Sequence, residues 1–351
     1  MLGPFRPGPA GGGARGPAPH SPPPLVPTLR QLAVPAGLRV GAAVDVNALA
    51  DDPDYASALG AEYDMVTPEN AMKWVTTEPR PGRFDFTGAD SLVRFARKHG
   101  MVVRGHNLVW FEQDPPWLER AATGRGAAGR MRTALERHVT TLVSHFRGSV
   151  AQWDVVNEAV GDDGALRPDL WLQSMGPAYI SDAFAAAHAA DPGAVLFYND
   201  YGIEAPGPKA DAVYALLASL RASGVPVGGV GFELHVTGPA AFDPSALRAQ
   251  MARFAGLGLQ VAVTEMDVRM RPPFSADRLA QQAADYGGAL RACEEQPACD
   301  TFVTWGFTDG DSWVPGTFPG FGAALPFDKR LRPKPAAYAL QAMLSSAPPS
   351  S

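Results

Sequence analysis

From residue 37 onward, short apolar runs recur at a nearly constant interval: "GLRVGAAV", "AEYDMVT", "MVVRGHNLVW", "VAQWDVVNE", "AVLFYND", "GGVGFELH", "QVAVTE" and "TFVTWGF". Most are continuously apolar rather than alternating, the pattern of strands covered on both faces. Between them lie helical patterns, among them "GADSLVRFARKHG", "GRMRTALERHVTTLVSHFRG", "KADAVYALLASLRASG", "PSALRAQMARFAGLG" and "SADRLAQQAADYGGALRACEE". Gly100 and Gly148 stand where two of these helices need left-handed caps. Eight strands alternating with helices over about 300 residues predict an α/β protein, a parallel (β/α)8 TIM barrel forming one catalytic domain.

Composition narrows what such a barrel could serve. The chain is 46% hydrophobic and 19% charged, with ample apolar residues for a core. A net charge of -6 gives no electrostatic reason to expect nucleic acid or an anionic membrane as partner. No apolar run approaches the roughly 18 residues of a membrane span. Residues 1–28 contain nine Pro and six Gly and predict a disordered leader. That leader lacks an apolar stretch of about 7–15 residues, so no secretory signal peptide is recognisable. The catalytic domain is expected over 35–345, with no second domain after "KPAAYALQAML". For Cys293 and Cys299, a short disulfide bracing the last strand is favoured over two unrelated buried thiols. Such a bond would suit an oxidising compartment.

The fourth run ends in Asn157 and Glu158, and the seventh in Glu265, followed by Asp267. Three strand–helix units separate the two glutamates, so a closed barrel brings both to one mouth. Other strand ends deliver Asn70 and Lys73, His106 and Trp110, Asn199 and Tyr201, His235, and Trp305. Barrel active sites are built at that C-terminal face. Singly, each glutamate reads more simply as a helix cap or solvated group, each histidine as structural, each tryptophan as core. Jointly they suggest a glycosidase, which needs one protonated carboxyl group to serve the leaving oxygen and one ionised group to attack or activate water. A metal centre of His106, Glu158, His235 and Glu265 lacks a close-spaced ligand pair such as HExxH, and no metal or cofactor is expected.

Seven motifs then stand in order: "VTPENAMKW" (66–74), "RGHNLVW" (104–110), "WDVVNEA" (153–159), "FYNDYGIE" (197–204), "GVGFELH" (229–235), "VTEMDV" (263–268) and "TWGFTDGDSW" (304–313). Together they resemble glycoside hydrolase family 10, the retaining endo-β-1,4-xylanases, over about residues 35 to 343. The resemblance implies xylan or xylo-oligosaccharides as substrate, with Glu158 as acid/base and Glu265 as nucleophile. It further implies Asn157 on the sugar 2-hydroxyl, and His235 and Asp267 orienting the nucleophile. Glu69, Asn70 and Lys73 resemble the clamp on the non-reducing sugars, continued by His106, Trp110 and Gln113. Trp305 and Trp313 resemble the pair that closes over the cleaved sugar and leaves little room for a 6-hydroxymethyl group. Asn199 and Tyr201 look like leaving-group-side contacts, Tyr201 by stacking. A monomer is expected, and secretion follows from family and substrate.

Two departures from the family pattern stand out. Glu233 takes the place of a usual glutamine and adds a third carboxylate, which should alter neighbouring pKa values and the pH optimum unless it is protonated or turned away. Phe111 and Glu112 replace a more usual histidine and serine. A related β-1,4-glucanase and a carbohydrate-binding protein on a decayed barrel are the competing readings. The intact Asn157, Glu158, His235 and Glu265 set weighs against the second.

Overall fold

Nine strand segments run in chain order: β1 (Arg39–Val44), β2 (Met65–Pro68), β3 (Val102–Val109), β4 (Gln152–Asn157), β5 (Val195–Asp200), β6 (Gly229–Phe232), β7 (His235–Thr237), β8 (Gln260–Arg269) and β9 (Cys299–Thr304). The computed structural model describes residues 25–239 and 241–346. Parallel pairing passes from β1 through β6, and β6 continues to β8 and β8 to β9. Pairing of β9 with β1 closes the ring. The short β7 prolongs the sixth stave beyond a break at Glu233 and Leu234, pairing His235 with Asp267 on β8. Eight staves therefore form the predicted barrel.

Burial follows from this closure. Val261 through Val268 of β8 are all buried, because one face meets the barrel interior and the other meets helices. The outer ring includes helices Thr87–Lys98, Ala127–His145, Pro208–Ala222, Pro244–Ala255 and Ala276–Glu294, where the sequence patterns placed them. Gly100 (φ 63°) and Gly148 (φ 70°) adopt the left-handed backbone expected just beyond two of them. Ala178–Ala190 and Pro335–Ser346 follow β4 and β9, and Pro53–Glu62, between β1 and β2, completes the ring. The first of these, "AYISDAFAAAHAA", is so rich in alanine that its apolar stripe is hard to distinguish from its outer face.

Deeper in the barrel, nearer the strand beginnings, a polar layer crosses the interior. Buried Arg104 donates through Nε to Asp154 Oδ2 (3.2 Å) and through Nη1 to Gln152 Oε1 (2.6 Å), and its Nη2 also pairs with Asp154. Gln152 Nε2 donates onward to Thr301 Oγ1 at 3.0 Å. Burial alone would raise the Asp154 pKa, but Arg104 and His106 outweigh it and hold the carboxyl below its ordinary range. This ion pair presents Asp154 Oδ2 to His106 Nδ1 at 3.1 Å, so a core contact fixes a residue of the site.

Close packing here tolerates no Cβ at Gly231 of β6. One would overlap Asn199 Oδ1 and approach Thr264 Cγ2 to 2.7 Å. Gly231→Ala is therefore expected to cost about 1–3 kcal/mol as overpacking. Thermal unfolding measures this, and an unchanged melting temperature would refute it.

Two expectations about chain segments are refined. Residues 1–24 of the anticipated leader lie outside the described residues, but of its last four residues Leu25 and Thr28 are buried, with Val26 and Pro27 exposed between them. Leu25 is buried and its amide donates to Glu62 Oε1 at 2.6 Å, while Thr28 caps helix Leu29–Ala33. The apolar Leu25 and the capping hydroxyl are what the Pro/Gly count overlooks. Cys293, at the end of helix Ala276–Glu294, is joined to Cys299 at the start of β9 in a disulfide with Cα atoms 5.2 Å apart.

Candidate active site

The C-terminal ends of the staves enclose a cleft of about 830 Å³. Its walls include Glu69, Asn70, Lys73, His106, Trp110 and Gln113 on one side of the chain's order, and Asn157, Glu158, Tyr201, Glu233, His235, Glu265, Trp305 and Trp313 on the other. Of the expected glycan-contacting and catalytic side chains, Asn199 and Asp267 alone are withdrawn from it, both fully buried.

Asn199 is thus corrected from a leaving-group contact to an internal clasp. Its Nδ2 lies 2.8 Å from Asn157 Oδ1, 2.8 Å from Glu265 Oε1 and 3.0 Å from Glu233 Oε1. Thr264 Oγ1 donates to its Oδ1 at 2.7 Å, setting the amide orientation. Because β4 and β5 pair Asn157 with Asn199 in register, the sheet itself aligns the two amides. A short chain results: Glu158 Oε1 accepts from Asn157 Nδ2 (3.1 Å), Asn157 accepts from Asn199, and Asn199 donates to Glu265. The two glutamates remote in sequence are linked through two amides.

Glu158 leaves β4 with φ 54°, the left-handed region that a non-glycine residue enters at a cost. Its amide donates to Asn199 O at 2.9 Å, and its carbonyl accepts from Arg167 Nε at 3.0 Å, so both sides of the strained residue are tied down. Burial, with Asp200 and Glu265 nearby, pushes its carboxyl up to about 8. At neutral pH it is a proton donor.

Glu265 sits within β8, which continues to Arg269 rather than ending at the glutamate. His235 Nε2 lies 3.4 Å from its Oε2, and the other ring nitrogen faces Asp267 Oδ2 at 3.0 Å. Trp313 Nε1 donates to the same Asp267 oxygen at 2.8 Å. Burial alone would lower the His235 pKa, but Asp267 and Glu265 overcome it and raise it to about 10. A charged imidazolium therefore rests between two carboxylates.

Glu233 is not turned away. Only 2% exposed, it shares Asn199 with Glu265, and burial followed by the charges of Glu265 and Glu158 drives its carboxyl well above the ordinary range. Its proton is therefore held more tightly than an ordinary carboxyl group holds one. Once ionised, Glu233 would add a negative charge beside Glu158 and help it keep its proton. Glu233→Gln is expected to move the alkaline limb of kcat/KM down by about 0.5–1 pH unit. A pH–rate profile superimposable on the wild type would refute this.

On the clamp side, burial and Asp45 raise Glu69 to about 8, against the opposing pull of Lys73. Lys73 Nζ lies 3.2 Å from Asn70 Oδ1 and 4.7 Å from the centroid of Trp110, and His106 meets Trp305 edge-on at 4.9 Å. Across the cleft, Tyr201 is held by Arg167 Nη2 on its hydroxyl (3.2 Å) and by Lys209 Nζ 3.1 Å from its ring centroid. Lys209 also pairs with Asp200 at 2.8 Å. Of the two atypical residues, Glu112 lines the cleft, whereas Phe111 stacks against the Arg167 guanidinium at 4.1 Å. Arg167 and Lys209 escape sequence reading because they stand outside the strand-end motifs. Asp154 and Thr264 fall inside those motifs, in "WDVVNEA" and "VTEMDV", and their polar character amid buried runs was the available signal.

Comparison with known proteins agrees with this architecture. The sequence model described as Glycosyl hydrolase family 10 matches residues 28–343. Endo-1,4-beta-xylanase A of Phanerodontia chrysosporium is 41% identical over 302 residues, spanning 85% of this chain and 72% of that protein. Endo-1,4-beta-xylanase B of Thermotoga neapolitana is 41% identical over 320 residues, spanning 90% of this chain and 91% of its own. The crystal structure of xylanase 10B from Thermotoga petrophila in complex with xylobiose superposes with a TM-score of 0.87 at 41% identity, covering 91% of this chain and 97% of that one. With the motifs, the barrel and these matches in agreement, the chain belongs to glycosyl hydrolase family 10.

Proposed function

We infer that the protein is an endo-1,4-β-xylanase, hydrolysing internal β-1,4-xylosidic bonds of xylan by retaining double displacement. The observation that carries this is the division of labour between the two linked glutamates. Glu158 holds a proton at neutral pH, while Glu265 is positioned by Asn199 and the His235–Asp267 pair. Glu265 attacks the anomeric carbon as Glu158 transfers its proton to the departing glycosidic oxygen. Glu158 then takes a proton from water, which opens the glycosyl-enzyme with net retention.

Asn157 is suited to bind the 2-hydroxyl of the attacked sugar, since it adjoins Glu158 and faces the cleft. Glu69, Asn70, Lys73, His106, Trp110 and Gln113 form the non-reducing side, and Tyr201 the leaving-group side. Trp305 and Trp313 restrict the space over the cleaved sugar, which favours xylose. Relatives with xylanase names and a neighbour holding xylobiose support the same substrate class. Action outside the cell fits both a polymeric substrate and the Cys293–Cys299 bond.

The deciding experiment follows purified protein on β-1,4-xylan by proton NMR. The first reducing ends are expected as the β-anomer, and initial rates should exceed those on carboxymethylcellulose. Early α-anomer would overturn double displacement, and preference for the glucan would overturn the sugar assignment.

A further inference from the structure

Hydrolysis as written gives the Glu233 carboxyl group no bond-making or bond-breaking role. The geometry offers that group to something else. Glu233 Oε2 lies 3.8 Å from His235 Nε2, and Glu265 Oε2 lies 3.4 Å from the same nitrogen. One ligand atom from each of the three residues falls within 4.8 Å of the other two. Around a tetrahedral zinc ion with bonds of about 2.0–2.1 Å, neighbouring ligand atoms stand about 3.3–3.5 Å apart. Two of the three edges are close to that spacing already.

The imidazole is also prepared. Asp267 Oδ2 takes His235 Nδ1 at 3.0 Å and is itself fixed by Trp313 Nε1 at 2.8 Å, which aims Nε2 at the two glutamates. Carboxylates that hold the far nitrogen in this manner are the usual support of histidine metal ligands. All three ligand residues line the cleft, leaving a fourth position open to water or a sugar hydroxyl. One imidazole and two carboxylates suit zinc better than magnesium or calcium, which require more oxygen ligands.

We propose that Glu233, His235 and Glu265 form an inhibitory site for zinc or a chemically similar divalent transition-metal ion. The bound ion ties up Glu265 and removes it from attack on the sugar. It must also displace the protons that His235 and Glu233 hold, so it binds less tightly than in a dedicated structural site. Glu233 supplies the third ligand, and an amide at that position withdraws it.

The test is calorimetric titration of zinc chloride into metal-stripped, full-length protein, a readout independent of which glycan is cleaved. Wild type is expected to bind one ion in the cleft, and Glu233→Gln to weaken it about 10- to 100-fold, with circular dichroism confirming that the variant is folded. Equal affinity in a folded Glu233→Gln protein, or no binding by wild type, would overturn the proposal. Cobalt(II) gives a second reading that needs no variant. Tetrahedral d–d absorption is expected in the wild-type protein, and its absence at saturating cobalt would equally overturn the site.

Discussion

Glu265→Gln is expected to lower kcat by about ten-thousand- to a million-fold while glycan affinity stays close to that of wild type. The amide keeps the size of the carboxyl group, and the walls that grip sugar are made by other residues, from Glu69 to Trp313. What disappears is the oxygen nucleophile that Asn199 Nδ2 and His235 Nε2 hold in place at 2.8 and 3.4 Å. Loss should therefore fall on kcat and spare binding. Calorimetry with xylo-oligosaccharides alongside steady-state rates separates the two. Retained turnover would remove Glu265 from the nucleophile's role.

The second large effect belongs to Glu158, and it depends on the leaving group. Glu158→Ala should slow xylan cleavage by about a hundred- to ten-thousand-fold, the usual contribution of a positioned general acid. An aryl xylobioside with a highly acidic phenol leaves without help, so its first step should be nearly spared and the glycosyl-enzyme should accumulate as a burst. The sign of the pH dependence follows from the raised pKa. Glu158 must carry its proton, so wild-type activity is expected to fall as pH rises through about 8, and the alanine variant should lose that limb. Equal slowing on both substrates, or a persistent limb near pH 8, would count against the assignment.

Much of the barrel was legible because its period is carried by contiguous residues: continuous apolar runs, then amphipathic ones. The alanine-rich helix Ala178–Ala190 shows where that signal weakens, since alanine scarcely separates an inner face from an outer one. At the site, Glu158 and Glu265 could be paired by counting units. The role of Asn199 could not, because an amide at a strand end looks alike whether it points to sugar or to three interior acceptors. Register between neighbouring staves decides that question, and register is a property of the closed sheet. Arg167 is a similar case. Its value lies in reaching a main-chain carbonyl at Glu158, a contact with no trace in local sequence.

One consequence concerns what can be attached to this enzyme. Leu25 binds Glu62, which closes the helix leading into β2, and Pro27 O accepts from Gln341 Nε2 on the final helix. Leu25 and Ser346 thus lie on the underside, where strands begin, with the barrel's height between them and the cleft. A tether, tag or partner module joined at either place would hang below the barrel and leave a long polymer free to lie across the mouth.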